Sequence, residues 1–190
     1  MKIFDNITEI VRDDMKDTIK RNSKVSIAAA CFSMYAYKEL KEQFEQIEEF
    51  RFIYTSPTFT TEKVAKQERE FYIPRLSRES SLYGTEFEIK LRNELTQKAI
   101  AKECADWIKN KATFRSNTSG ENMPGFMTVD NNQEKVAYMP LAGFTTVDIG
   151  CDRGNNAYNM VNRMESPFAE QYMQTFDAIW NDKDKLQDVT

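Results

Sequence analysis

The chain has 190 residues, 41% hydrophobic and 29% charged, with a formal net charge of −4 and a pI of about 5.1. These values describe one ordinary globular domain with a buried core, and exclude a disordered chain or a wholly basic nucleic-acid binder. The sequence contains no histidine, so Ser-His and Cys-His nucleophile pairs, an imidazole base near neutral pH and a His-ligated metal are all excluded.

The opening segment, Met1 to Asp17, is amphipathic and partly acidic, unlike a signal or transit peptide. Ile7, Ile10, Val11, Met15 and Ile19 recur at helical spacing and predict a helix over 6–21. The apolar run from Val25 to Phe32 predicts a strand buried on both faces. Tyr37, Leu40, Phe44 and Ile47 then mark the inner stripe of a surface helix, and Phe50 to Thr55 a second strand that ends at Ser56-Pro57. This strand–helix–strand order predicts parallel neighbours. Tyr35, Tyr37, Phe44, Phe52 and Tyr54 are expected in the core.

Residues 61–73 read as helical up to Pro74, and 75–84 as a polar connection. A long helix is expected over 87–110, with Leu91, Leu95, Ile100, Cys104, Trp107 and Ile108 inward. Short strands follow at 112–117, 126–129, 136–139 and 158–161, separated by Gly, Asn and Asp turns. Phe168, Tyr172, Phe176, Ile179 and Trp180 share one face of a last helix, after which 183–190 reads as a polar tail. No run reaches the ~18 consecutive apolar residues of a membrane span. Cys31, Cys104 and Cys151 are odd in number and far apart, as expected of free thiols in a reducing cytoplasm. Asp130, Asp148 and Asp152 read as turn residues, and no metal site is expected.

Charge is unevenly spread. Lys63 to Arg115 holds 12 Lys/Arg against 8 Asp/Glu, while the rest of the chain is acidic. A solvated mixed-charge helix is one reading of this segment, and a cationic face for phosphate is the other. On the second reading the contacts come from Lys90, Lys98, Lys102, Lys109, Lys111 and Arg115, with Phe71 and Tyr72 as candidate base contacts. The chain carries neither a G-x-x-x-x-G-K-[ST] loop nor a G-x-G-x-x-G.

Met123-Pro124-Gly125-Phe126-Met127-Thr128-Val129-Asp130, followed by Pro140-Leu141-Ala142-Gly143-Phe144-Thr145, resembles the paired motifs of the phospholipase D-like phosphodiesterases. Those motifs read H-x-K-x-x-x-x-D and G-S-x-N-F-T. With Asp130 as the motif aspartate, Met123 stands at the nucleophile and Gly125 at the lysine. Pro140 to Gly143 replace the polar quartet, and Phe144-Thr145 is retained. Further phrases are similar to the N-terminal phospholipase D-like region of bacterial Swi/Snf-type superfamily 2 helicases. They include Ile27–Tyr35, Glu70–Leu76, Tyr83–Arg92, Cys104–Ile108, Ala142–Gly150 and Phe176–Asp182.

The resemblance implies an α/β domain over 1–182, with a mixed sheet of six or seven strands and helices on both faces. It implies that 183–190 leads to a helicase motor, and that ATP and magnesium belong to that motor, with no cofactor in this domain. The degenerate positions Met123, Gly125, Asp130 and Gly143 imply a silent accessory domain that serves DNA binding or regulation, in the cytoplasm and without a membrane. An active DNA phosphodiesterase or nuclease is the second reading, and a protein–protein module using a greasy Met123–Met127 segment is the third. The partners expected are DNA and the motor domains, with a homodimer possible.

Overall fold

A computed structural model describes residues 1–56, 86–153 and 158–190, with side chains from Thr96 onward in the second of these segments. The helix expected over 61–73, the connection over 75–84, and Phe71 and Tyr72 lie outside the described residues. The elements are β1 (Lys2–Phe4), α1 (Val11–Thr18), β2 (Lys24–Ala29), α2 (Met34–Glu39), α3 (Lys41–Gln46) and β3 (Glu49–Tyr54). There follow α4 (Glu86–Lys111), β4 (Ala112–Asn117), β5 (Phe126–Asp130), β6 (Lys135–Met139), β7 (Val161–Met164), α5 (Phe168–Trp180) and β8 (Leu186–Asp188).

The eight strands form one mixed sheet in the order β1-β7-β6-β5-β2-β3-β4-β8. β2 and β3 are parallel neighbours, Val25 opposite Phe50 and Ile27 opposite Phe52, as the crossover predicts. β4 joins parallel to β3, whereas β5 runs antiparallel to β2. Alternation along each strand divides the core in two. Val25, Ile27, Phe50, Phe52, Phe114, Met127 and Tyr138 face α1–α4, while Ala28, Ile53 and Phe126 meet Phe176 and Trp180 of α5. Helices therefore cover both faces of the sheet.

The larger core is aromatic. Trp107 of α4 stacks on Phe44 at 5.3 Å between ring centres and donates from Nε1 to the Phe44 carbonyl at 2.9 Å. This satisfies its one polar atom inside an apolar cluster. Of the aromatics expected inside, Tyr37, Phe44 and Phe52 are buried, and Tyr35 and Tyr54 pack partly buried against them.

Several boundaries differ from the sequence pattern, for local reasons. The first helix starts at Val11, not residue 6. The Asp5 carboxylate accepts the amides of Ile7, Thr8 and Glu9, and Asn6 Oδ1 accepts that of Val11, so side chains take the amides a helix would use. The helix over 37–47 is two helices hinged at buried Leu40, the first opened by Ser33, whose Oγ accepts the Tyr35 amide. The strand expected at 158–161 is β7, three residues later, and Tyr158 is exposed. Phe168, placed on the inner face of α5, is also exposed. The polar run at the end is not only a tail: β8 pairs antiparallel with β4, and Val189 packs on the core. Among the described residues no helix is long and apolar enough to cross a membrane.

Candidate functional site

The sheet brings several chain segments to the edge where β2 ends. There the Ala30 amide donates to the Ala142 carbonyl, Leu141 donates to Gly125, and Phe144 donates to Cys31. Gly125 and the 141–143 segment thus share one edge with Cys31. Met123 packs beside them against the cluster beneath α5. Asp130 does not join this group. It lies opposite Lys24 at the other end of β5, about 14 Å along the strand from Phe126.

Close packing explains both glycines, against backbone at Gly125 and against side chains at Gly143. A Cβ on Gly125 would sit 2.1 Å from the Leu141 carbonyl oxygen, so no side chain, least of all a lysine, fits the position in this backbone. A Cβ on Gly143 would meet Asp148 Oδ2 at 2.8 Å and Cys31 Sγ at 2.9 Å. The polar groups at this edge are therefore Cys31, Thr145 and Asp148, which sequence spacing alone does not bring together.

Thr145 donates from Oγ1 to Asp148 Oδ2 at 2.5 Å, and Asn159 Nδ2 donates to the Val147 and Asp148 carbonyls, which ties the turn to the start of β7. Burial raises the Asp148 pKa, against hydrogen bonds from Thr145 and Gly143. Burial, and then the nearby Asp148 carboxylate, raises that of Cys31. Both groups are thus shifted toward their neutral forms. No lysine or arginine acts on either group among the described residues. Among the described residues no cluster of three metal-ligating side chains forms.

The six cations proposed for phosphate contact do not share one surface. Lys98, Lys102 and Lys109 are exposed on α4. At ~100° per residue they fall within about 40° of one another, along a stripe roughly 16 Å long. No ion pair engages them among the described residues. Lys111 is drawn inward, its Nζ donating to the Ile47 carbonyl at 2.8 Å. Arg115 lies opposite Ile53 and reaches Trp180 on the α5 side of the sheet, away from the α4 lysines. The Lys90 side chain lies outside the described residues.

Beside the stripe, an open groove of ≈ 310 Å³ between α2–α3 and α4 is lined by Lys41, Glu45, Glu103, Asp106 and Trp107 among others. Lys41 Nζ pairs there with Glu103 at 2.8 Å, so the groove is acidic and internally paired. No family model matches this chain, and no curated protein matches it.

Proposed function

We propose that the chain is a catalytically silent, phospholipase D-like accessory module of a DNA-dependent ATPase of helicase type, and that it holds nucleic-acid backbone along α4. The observation that carries this reading is the stripe of Lys98, Lys102 and Lys109, which is exposed, aligned and unpaired among the described residues. Aligned cations one and two helical turns apart suit successive phosphates, and no sequence-reading side chain is needed for such contact. The edge at Gly125 supports silence: the chain has no imidazole, no lysine or arginine acts on this edge among the described residues, and the backbone leaves no room for a lysine at position 125. ATP and magnesium would belong to the parent's motor, since this chain has no phosphate-binding loop.

Fluorescence anisotropy with labelled duplex, at two salt concentrations, tests the reading. The affinity should fall steeply with salt, and reversing all three lysines (K98E, K102E, K109E) should lower the salt slope by about 3. Unchanged binding in the triple variant would remove the α4 surface from the proposal.

A further inference from the structure

The groove between α2–α3 and α4 has an aromatic floor and a carboxylate on each wall. Its volume of ≈ 310 Å³ falls at the lower end of the roughly 300–1,000 Å³ typical of small-molecule sites. Tyr37 and Trp107, 1% and 6% exposed, are the most deeply buried residues that line it. Among the described residues the Tyr37 hydroxyl makes no hydrogen bond. Polar groups so deeply buried are almost always paired, so this hydroxyl is open to a group that enters the groove. Burial raises its pKa, and Cys104, Glu45 and Glu103 add to the rise, which sets the hydroxyl among the groove's own carboxylates and keeps it neutral.

Glu45 stands on α3, and Glu103 and Asp106 stand on α4. Two lysines line the groove with them. Lys111 is turned to the Ile47 carbonyl. Lys41 places its Nζ 2.8 Å from Glu103 and 3.8 Å from Glu45, so the chain itself seats one ammonium between the two walls. The pairing is incomplete: the Asp106 carboxylate has no ion pair or hydrogen bond among the described residues. The groove therefore favours a cation. Since no three metal-ligating side chains converge among the described residues, a bare ion cannot use both walls, and the charge has to be spread along the ligand. Trp107 is stacked against Phe44 and Phe32 and offers no open ring face to a quaternary ammonium.

We propose that this groove binds a small aliphatic polyamine, one ammonium group held by the Tyr37 hydroxyl and Glu45 and a second by Asp106, with the methylene chain over Trp107. Lys41 is then a built-in competitor for the first position. The charge-assisted bonds fix the two ends, and the apolar floor suits the chain between them. The site uses none of Lys98, Lys102 and Lys109, so it is independent of the nucleic-acid reading.

Titration with spermidine at constant ionic strength tests the proposal. The chain has two tryptophans, so two-dimensional NMR of isotope-labelled protein reads the indole N–H at the groove separately from that of Trp180, with Trp180→Phe giving the assignment. The Trp107 signal should move and saturate while that of Trp180 stays in place. Asp106→Asn and Tyr37→Phe should each weaken binding about tenfold, because each removes a partner of a charged group. Asp106 is exposed, so its substitution leaves the core intact. Lys41→Met should strengthen binding several-fold by removing the competitor. An unmoved Trp107 signal, an equal and unsaturating drift of both signals, an affinity indifferent to both Asp106→Asn and Tyr37→Phe, or weaker binding in Lys41→Met would each overturn the proposal.

Discussion

The guanidinium of Arg115 lies 4.1 Å from the centre of the Trp180 ring, and its Nη1 donates to the Trp180 carbonyl at 2.5 Å. Arg51 approaches the same ring from its own strand, at 5.6 Å, and pairs with Asp177 at 2.9 Å. Two arginines on adjacent parallel strands thus clamp the last turn of α5 onto the sheet. Arg115 thus holds α5 on the sheet.

Removing it should loosen α5 without touching nucleic-acid binding. Arg115→Met loses the ring contact and the charge-assisted bond to the carbonyl, and should destabilise the protein by roughly 2 kcal/mol. Arg115→Lys should recover only part of this, because an ammonium has no planar face to lay on the indole. Urea unfolding measures the loss. Anisotropy with labelled duplex should give the wild-type affinity, and a binding defect larger than the stability defect would return Arg115 to the interface.

The central sheet is legible in the sequence because its signals are local and strong. The apolar runs of β2 and β3 leave one pairing open, and the Tyr37–Phe44–Ile47 stripe shows where the crossover lies. β1 and β8 are three-residue strands whose only stabilisation is tertiary, so nothing in Lys-Ile-Phe or Leu-Gln-Asp announces them. The start of α1 is hidden because residues 6–10 are read as helix by spacing, yet the side chains of Asp5 and Asn6 compete for the amides. At the candidate sites the same limit applies. Spacing aligns Lys98, Lys102 and Lys109 on one face, but the diversion of Lys111 to Ile47 and of Arg115 to Trp180 depends on residues 64 and 65 positions away. The clash behind Gly125 comes from a carbonyl 16 residues on, which no motif encodes.

Asp148 makes stability depend on pH in a defined direction. Its pKa is raised in the folded state above the ordinary 3.8, with burial the main cause. The folded protein therefore holds this proton more tightly than the unfolded chain. That contribution is complete below the unfolded value and is lost as pH rises through the folded one. Asp148→Asn keeps a hydrogen-bonding side chain but cannot ionise. The stability of the wild type relative to this variant should decline from about pH 3.5 upward and then level off. A difference that stays constant, or grows with pH, would contradict the burial of this carboxyl.

The three thiols are held in the protonated, unreactive form. Burial pushes Cys104 up to about 12 and Cys151 up to about 11, and raises Cys31 as well. Since the thiolate is the nucleophile, iodoacetamide at pH 8 should label all three more slowly in the folded protein than in urea. Cys104, fully buried on α4, should be the slowest. Above the ordinary thiol value of 9.0 the unfolded chain ionises first, so stability should fall as pH rises from 9 toward 11. Mass spectrometry of timed alkylation reads the order, and fast labelling of Cys104 in the native state would refute it.

Gly125 and Gly120 provide a graded test of the closed edge. At Gly120, φ is +72° but nothing lies within 4 Å of a new Cβ, so Gly120→Ala should cost only the backbone penalty, about 1 kcal/mol. At Gly125 the obstacles are the Leu141 carbonyl oxygen at 2.1 Å and carbon at 2.8 Å. Both belong to the backbone, and the Leu141 amide is already bound to the Gly125 carbonyl at 2.9 Å. They cannot rotate aside as a side chain would, so Gly125→Ala should cost on the order of 3 kcal/mol or more. Installing the missing pair as Met123→His with Gly125→Lys should therefore fail twice. The lysine disrupts the junction between the start of β5 and the 141–143 segment. The polar stabilisers are also absent, since Pro140 to Gly143 offer no side-chain donor. Urea unfolding of the two alanine variants should rank Gly125 well above Gly120, and the double variant should release nothing from a chromogenic phosphodiester. The reverse ranking, or turnover by the double variant, would show that this edge has the room and the chemistry denied to it here.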